Sequence, residues 1–548
     1  MTRHPTPKDL RSMSVAEQHD WLQSQRSRRT VLKGGLAGAG ALLAAPVIGS
    51  SVASAQTRPT PRRKAPMLLR RFDTVPGASV QPFGRHIAFG QDPSTEISVA
   101  WQVPVPVNKP FVRIGTDPTQ LDLVVPAEIR TLATPASDIT PVDSLPSNAP
   151  ATIEQYYVHA AAAGLDPGTT YYYAVGHAGL DPASDPSQPV LSFTLEPRTA
   201  GIPAPFRFTA FGDQGVTYDA VATARLVGGQ QPAFHLHAGD LSYAESGGSG
   251  LLSDSYDPRV FDSWFAQIEQ TAGRIPWMAT VGNHEMEPWY PTNGYGGQLA
   301  RFDFLGNAPS SCPVSYSFSY GNVGVIALDA NDVSYELEAN LGYTGGAQTT
   351  WLGDICAAYR ADPAIDFIVA YFHQCAYCTC STHASDGGID QYWTPVFDSW
   401  GVDLVINGHN HIYERTDPIR GGAPTSSAPI GATINSAKAG TTYVTAGGAG
   451  KSLYAFPGGV PDSYFGNVNN DFDISTYQWE VGSSPGNPTA NPITATWSQV
   501  RYTGYGLLVV DSIPAYAGKD SRLSIRALME DGLTLIDEFS IVRKHGAS

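Results

Sequence analysis

Near the middle of the 548-residue chain, His237-Ala238-Gly239-Asp240-Leu241-Ser242-Tyr243 carries a short apolar run into a carboxylate and, three residues on, a phenol. A carboxylate can be shared between two metal ions while a phenolate binds one of them. The other donors of such a site should then stand at similar strand ends, and they do. FRFTAFGDQG delivers Asp213, IPWMATVGNHE delivers Asn283 and His284, FIVAYFH ends on His373, and VDLVINGHNH ends on His409 and His411. Each run is strand-like and finishes in a Gly-rich or polar turn that holds a metal-competent side chain. His235 and His237 precede the ligand turn on their own strand and read as packing or hydrogen-bonding residues.

Two ions about 3.5 to 4 Å apart need a bridging anion and separate donors on each side. Asp213, Tyr243 and His411 make one set; Asn283, His373 and His409 make the other, with Asp240 between them. The first set contains two oxygen anions and the second only neutral donors. That asymmetry predicts a trivalent ion, ferric, opposite a divalent one.

The ordered motifs G-D-x-G at Gly212 to Gly215, G-D-x-x-Y at Gly239 to Tyr243, G-N-H-E at Gly282 to Glu285, the strand-ending His373, and G-H-x-H at Gly408 to His411 resemble the purple acid phosphatase family. Tyr243 supplies the tyrosine that distinguishes this family among metallophosphoesterases. The resemblance covers nearly all the chain beyond its first 55 residues. It implies a fibronectin type III-like domain ahead of a four-layer αββα catalytic fold, and a centre of Fe(3+) plus a divalent metal (Zn, Mn or Fe). It also implies hydrolysis of phosphate monoesters by a metal-bound hydroxide. His284 and His383 match the family's histidines that bind phosphate or protonate the leaving group. Glu285 is expected to orient His284, and Asp386 to orient His383, by carboxylate–histidine pairing. The loop from Gln374 to Gly388 departs from the family pattern, since Cys375, Cys378 and Cys380 replace its usual aromatic and polar residues.

These residues need a scaffold, and the chain reads as a two-domain α/β (α+β) protein. Residues 1–55 resemble a twin-arginine export signal, with Ser27-Arg28-Arg29-Thr30-Val31-Leu32-Lys33, a mildly apolar run and the small-residue site Ala53-Ser54-Ala55. Residues 56–67 are a Pro-rich basic linker. Residues 68–196 show short alternating strands such as Ile97, Val99, Trp101 and Val103 between Pro/Gly turns, the pattern of a β-sandwich. Leu165-Asp166-Pro167-Gly168-Thr169-Thr170-Tyr171 resembles the corner tyrosine of a fibronectin type III-like domain. In residues 205–548 strands alternate with helices predicted at 219–227, 258–271 and 348–359, which implies a layered domain with its site at strand ends. Stretches 416–440 and 455–499, rich in Gly, Pro, Ser, Thr and Asn, read as long surface loops.

A net charge of −16 makes the chain a poor binder of nucleic acid or anionic membrane; the resemblance implies small phosphate esters as its partners. Stable membrane insertion after signal cleavage is not expected, and the expected location is secreted or extracellular, reached by bacterial twin-arginine export. Five cysteines in an exported protein point to disulfides around the loop after His373. The rival readings are a phosphodiesterase or phytase on the same metal pair, and a secreted cell-wall-binding protein whose second domain is inert.

Overall fold

The computed structural model describes residues 80–136, 139, 152–198, 204–248, 255–287, 290, 293–470, 472–482, 487–516 and 518–544. The export signal and the linker of residues 56–67 lie outside them. Two four-stranded antiparallel sheets form the first unit. One runs Phe83–Phe89, Ile97–Val103, Thr152–Ala162, Glu128–Pro135; the other runs Leu123–Pro126, Phe111–Gly115, Thr170–Gly176, Leu191–Thr194. Alternate residues of both, including Val99, Trp101, Val112, Ile114, Tyr173 and Val175, fill one core between them. The Tyr171 hydroxyl accepts the Asp166 backbone N–H at 2.9 Å, which makes the expected tyrosine corner.

Two seven-stranded mixed sheets form the second unit. In one, Trp277–Ala279, Phe234–His237 and Phe206–Phe211 run parallel and continue through antiparallel Gly506–Ile513. In the other, Val323–Ala327, Phe367–Phe372, Leu404–Asn407 and Thr442–Ala446 are parallel neighbours. The period of two divides each strand between two cores. Phe208, Leu236, Val369 and Tyr371 meet between the sheets. Phe211 and Trp277 turn outward onto the helices Tyr218–Gln230 and Arg259–Ala272, where they meet Val227, Phe261 and Trp264. Ile368, Ala370 and Phe372 turn outward onto Ala347–Ala361 and Thr394–Trp400, against Leu352 and Phe397. The result is helix, sheet, sheet, helix, so both faces of every central strand are covered and its C-terminal end is the place left for polar chemistry.

The sandwich seats on helix Arg259–Ala272. Glu269 takes the Gly84 N–H at 2.8 Å and the Arg85 guanidinium at 2.5 Å. Asp262 accepts the Gln102 and Gln155 amides at 2.6 Å each, and the His86 ring stacks on Phe265 at 4.5 Å.

Three expectations change. Stretch 416–440 is not all loop, since Thr433–Asn435 pairs in parallel with Leu535–Arg543 at the edge of the first seven-stranded sheet. Part of stretch 455–499 forms a hairpin, Ile474–Glu480 against Thr489–Ala495, to which Ser385–Asp386 adds a parallel strand. Its half-exposed side chains carry no alternation of polarity, and Pro492 sits on the edge strand, where a missing N–H is tolerated. The cysteines form no disulfide: all five are buried thiols, and Cys375, Cys378 and Cys380 pack together with Ile412 and Phe456. No helix among the described residues is long and apolar enough to cross a membrane.

Candidate metal centre

Five parallel strands deliver the predicted donors to one buried cluster. Asp213 follows Phe206–Phe211, Asp240 and Tyr243 follow Phe234–His237, Asn283 follows Trp277–Ala279, His373 follows Phe367–Phe372, and His409 and His411 follow Leu404–Asn407. Eight non-glycine residues among those described have positive φ, and four of them are Asp213, Asp240, Tyr243 and His409. Left-handed backbone costs a side-chain-bearing residue about 1 kcal/mol or more and collects at functional turns. The preceding glycines give the room these turns need. A Cβ on Gly408 would stand 2.6 Å from Asp213 Oδ2, and one on Gly282 would collide with Asp240 Oδ1.

On the first side, the Tyr243 hydroxyl lies 3.2 Å from Asp213 Oδ1 and 2.9 Å from His411 Nε2, and His411 Nε2 lies 3.3 Å from Asp213 Oδ1. On the second, His373 Nε2 lies 3.2 Å from Asp240 Oδ2 and 3.8 Å from Asp213 Oδ1. The His373 and His409 rings are 5.0 Å apart. Asn283 gives its amide N–H to Gly248 O at 3.1 Å, which turns its carbonyl oxygen the other way.

These residues fit a metal pair. Asp213 Oδ2, Asn283 Oδ1 and His373 Nε2 are buried atoms without a hydrogen-bond partner, an expensive state unless another group meets them. His373 donates Nδ1–H to Ala238 O at 2.8 Å and His411 donates its own to Ser452 O at 2.6 Å, so both neutral rings present the Nε2 lone pair. His409 is turned the other way. It donates Nε2–H to Glu336 Oε2 at 2.8 Å and keeps Nδ1 as the free donor atom. Burial alone would neutralise Asp240, yet the His373 and His284 imidazoles hold its carboxyl far below the ordinary range. With no cation in the cluster, Asp240 and Asp213 overcome the burial of His373 and lift it to about 10, so the Nε2 proton then occupies the place a metal would take, and the lone pair is presented only once that proton leaves.

Both expected histidines border the cluster, with other partners than foreseen. Glu285 does not orient His284. Its carboxylate accepts the backbone N–H groups of Asp240, Leu241 and Gly282 at 2.7 to 2.9 Å, tying two ligand turns together. Burial and the nearby Asp240 push its pKa up to about 7. His284 donates Nδ1–H to Glu245 O at 2.5 Å, stands 3.5 Å from Glu245 Oε2, and leaves Nε2 3.7 Å from Asp240 Oδ2. Nor does Asp386 touch His383. It accepts from Ser334 Oγ and from the backbone of Tyr335, Glu336 and Gly388, because unsatisfied turn N–H groups capture a buried carboxylate first. Glu336 Oε1 holds His383 Nδ1 at 2.6 Å, and Tyr454 OH lies 3.4 Å from His383 Nε2. Glu336 is itself buried, but the imidazoles of His409 and His383 bring its carboxyl down to about 2.

Lys451 was also missed. It closes the Gly-rich turn after Thr442–Ala446, donates its N–H to Asp213 O at 3.1 Å and holds Nζ 3.9 Å over the Tyr243 ring. The signal was a further Gly-rich strand end, of the same kind as the others. Glu336 and Glu245 carried no such mark. His235 and His237 pack as expected, at 4.5 Å and 6.1 Å from the Trp277 ring.

Family models described as "Purple acid Phosphatase, N-terminal domain" and "Calcineurin-like phosphoesterase" match residues 82–195 and 206–413. An uncharacterized protein of Mycobacterium tuberculosis is 31% identical over 508 residues, covering 84% of this chain and 87% of that protein. Purple acid phosphatase 15 of Arabidopsis thaliana is 28% identical over 278 residues, covering 48% of this chain and 49% of the plant protein. The structure of a purple acid phosphatase from yellow lupin seeds superposes with a TM-score of 0.62 at 20% identity, over 85% of this chain and 75% of that one.

Proposed function

Because the chain belongs to the purple acid phosphatase family of metallophosphoesterases, we propose that it is an exported acid phosphatase that hydrolyses small phosphate monoesters at an Fe(3+)–divalent metal centre. The observation that carries this reading is Tyr243. Its hydroxyl meets Asp213 and His411 in a cluster that also holds Asp240, Asn283, His373 and His409. Asp213, Tyr243 and His411 would hold the ferric ion, Asn283, His373 and His409 the divalent one, and Asp240 both. Such a pair, when bound, supplies Lewis acidity toward a phosphoryl oxygen and a water of lowered pKa.

The chain's own groups do the rest. His284 is fixed through Nδ1 by Glu245, so Nε2 is the atom able to pass a proton to a leaving oxygen. His383 is fixed through Nδ1 by Glu336 and is the more exposed of the two, at 24% against 13% of its side chain. Its Nε2 edge suits a phosphate oxygen arriving from solvent. Lys451 adds a cation beside Asp213, Asp240 and Glu245, the local positive charge that an acidic protein needs to draw in an anion. Twin-arginine export of the folded chain agrees with a metal site this deeply buried.

Metal analysis of the purified protein, paired with turnover of an aryl phosphate monoester and the matching diester in acid, tests the reading. Iron with a second metal and faster monoester turnover is the expected result. Faster diester turnover would reassign the enzyme as a phosphodiesterase, and binding of no metal would overturn the centre itself.

A further inference from the structure

Glu336 lies outside every motif of the site and yet joins two of its histidines. Its side chain is 10% exposed, with Oε2 2.8 Å from His409 Nε2 and Oε1 2.6 Å from His383 Nδ1. The two imidazoles it grips are neighbours, with centroids 4.0 Å apart and planes inclined by 34°. We propose that Glu336 is a positioning residue that couples the divalent metal site to the phosphate-facing histidine: one carboxylate oxygen sets which nitrogen His409 offers to the metal, and the other aims His383. This inference rests on the two-metal reading above.

The chemistry of the groups leads there. A carboxylate only accepts hydrogen bonds, so both histidines must donate to it. A neutral His409 that donates from Nε2 has its lone pair on Nδ1, whereas His373 and His411 are fixed by backbone carbonyls with the lone pair on Nε2. Without Glu336, His409 is the one histidine of the predicted ligand set whose tautomer no described backbone carbonyl fixes. His383 likewise has its Nδ1 committed to Glu336, which leaves Nε2 directed toward Tyr454 OH at 3.4 Å. Glu336 is itself held from behind. Asp386 accepts the Glu336 N–H at 3.1 Å, the Tyr335 N–H at 3.0 Å and the Ser334 hydroxyl at 2.6 Å. Asp386 belongs to the short strand paired with Gln478 and Trp479 of the hairpin. The hairpin thus steadies Asp386, Asp386 steadies the loop, and the loop presents Glu336.

The test uses the full exported chain and the variants E336Q, H383A and the double variant, with zinc and inorganic phosphate as probes. Glutamine keeps the size of the side chain but has one acceptor oxygen, so it cannot serve both histidines. E336Q is expected to lower affinity for the second zinc ion by about 10- to 100-fold, the usual effect of removing an outer partner of a metal-bound histidine. The first ion should be retained, which shows that the variant is folded. At zinc concentrations that keep both ions bound, phosphate affinity should also fall in E336Q, and the double variant should then bind phosphate no more weakly than H383A alone, because with the metals in place both changes act through the His383 ring. Wild-type affinity of E336Q for the second zinc and for phosphate would overturn the proposal. A wild-type chain that binds one zinc ion would overturn the two-metal reading, and this inference with it.

Discussion

Replacing His86 by glutamine should flatten the loss of stability in acid. His86 lies at the seat of the sandwich, stacked on Phe265 and donating Nδ1–H to Gly84 O at 2.9 Å. Burial is the dominant influence on it. Burial outweighs the Gly84 carbonyl and the attraction of Asp303, while His159 adds repulsion, and the pKa falls from 6.5 to about 4. The unfolded chain therefore takes up a proton near pH 6.5 that the folded chain refuses until about pH 4. Stability contributed by neutral His86 is complete above that window and is lost as pH falls through it. The whole interval corresponds to about 3 kcal/mol, at 1.36 kcal/mol per pKa unit. Glutamine keeps a donor for Gly84 O and does not titrate. Urea unfolding of both proteins at about pH 7 and about pH 4.5 gives the comparison, and carboxylates common to both cancel in the difference. The wild-type protein should lose about 2 kcal/mol more than the variant on acidification. Parallel losses would refute the reasoning and show that His86 accepts its proton without cost in the folded state.

Tyr243→Phe should abolish any visible charge-transfer band after loading with ferric iron. The hydroxyl makes contacts of 3.2 and 2.9 Å with Asp213 and His411, so its loss should lower unfolding free energy by only about 1 kcal/mol; a retained band would sink the tyrosinate assignment. Gly408→Ala places a Cβ 2.6 Å from Asp213 Oδ2 and should weaken metal retention by about 10-fold or more, read as metal per chain after dialysis against a chelator. Unchanged metal content would show that the ligand turns yield more easily than their packing implies.

The predicted donors were legible because they stand at or just past the ends of apolar strands, four of them directly after a glycine. Asp213, Asp240, Asn283 and His409 all directly follow a glycine, and the close approaches at Gly282 and Gly408 explain why. Partnerships across the site were not legible. Glu285 and Asp386 stand near their expected histidines in the sequence, but they bind backbone N–H groups that local turns leave unmet. The groups that do hold those histidines, the backbone carbonyl of Glu245 and the carboxylate of Glu336, come from other loops, 39 and 47 residues away in sequence. Sequence spacing carries information about strands and turns; it carries little about which of two buried carboxylates a ring will meet. Three helices were readable from the sequence and came out at 218–230, 259–272 and 347–361, whereas short ones such as Gly296–Arg301 and Thr394–Trp400 were not. The hairpin at 474–495 had no comparable rhythm, since its faces are similarly wet.

The three thiols within the loop that follows His373 amount to a built-in clock. Cys375, Cys378 and Cys380 are 1%, 0% and 0% exposed, so a water-borne alkylating reagent can reach them only during moments when this segment lifts. Labelling rates under native conditions therefore time the breathing of the loop that carries His383. Cys356, on the buried side of helix Ala347–Ala361, times the opening of the scaffold in the same tube. Mass spectrometry of the two peptides would separate motion of the site from unravelling of the fold, without a label having to be introduced.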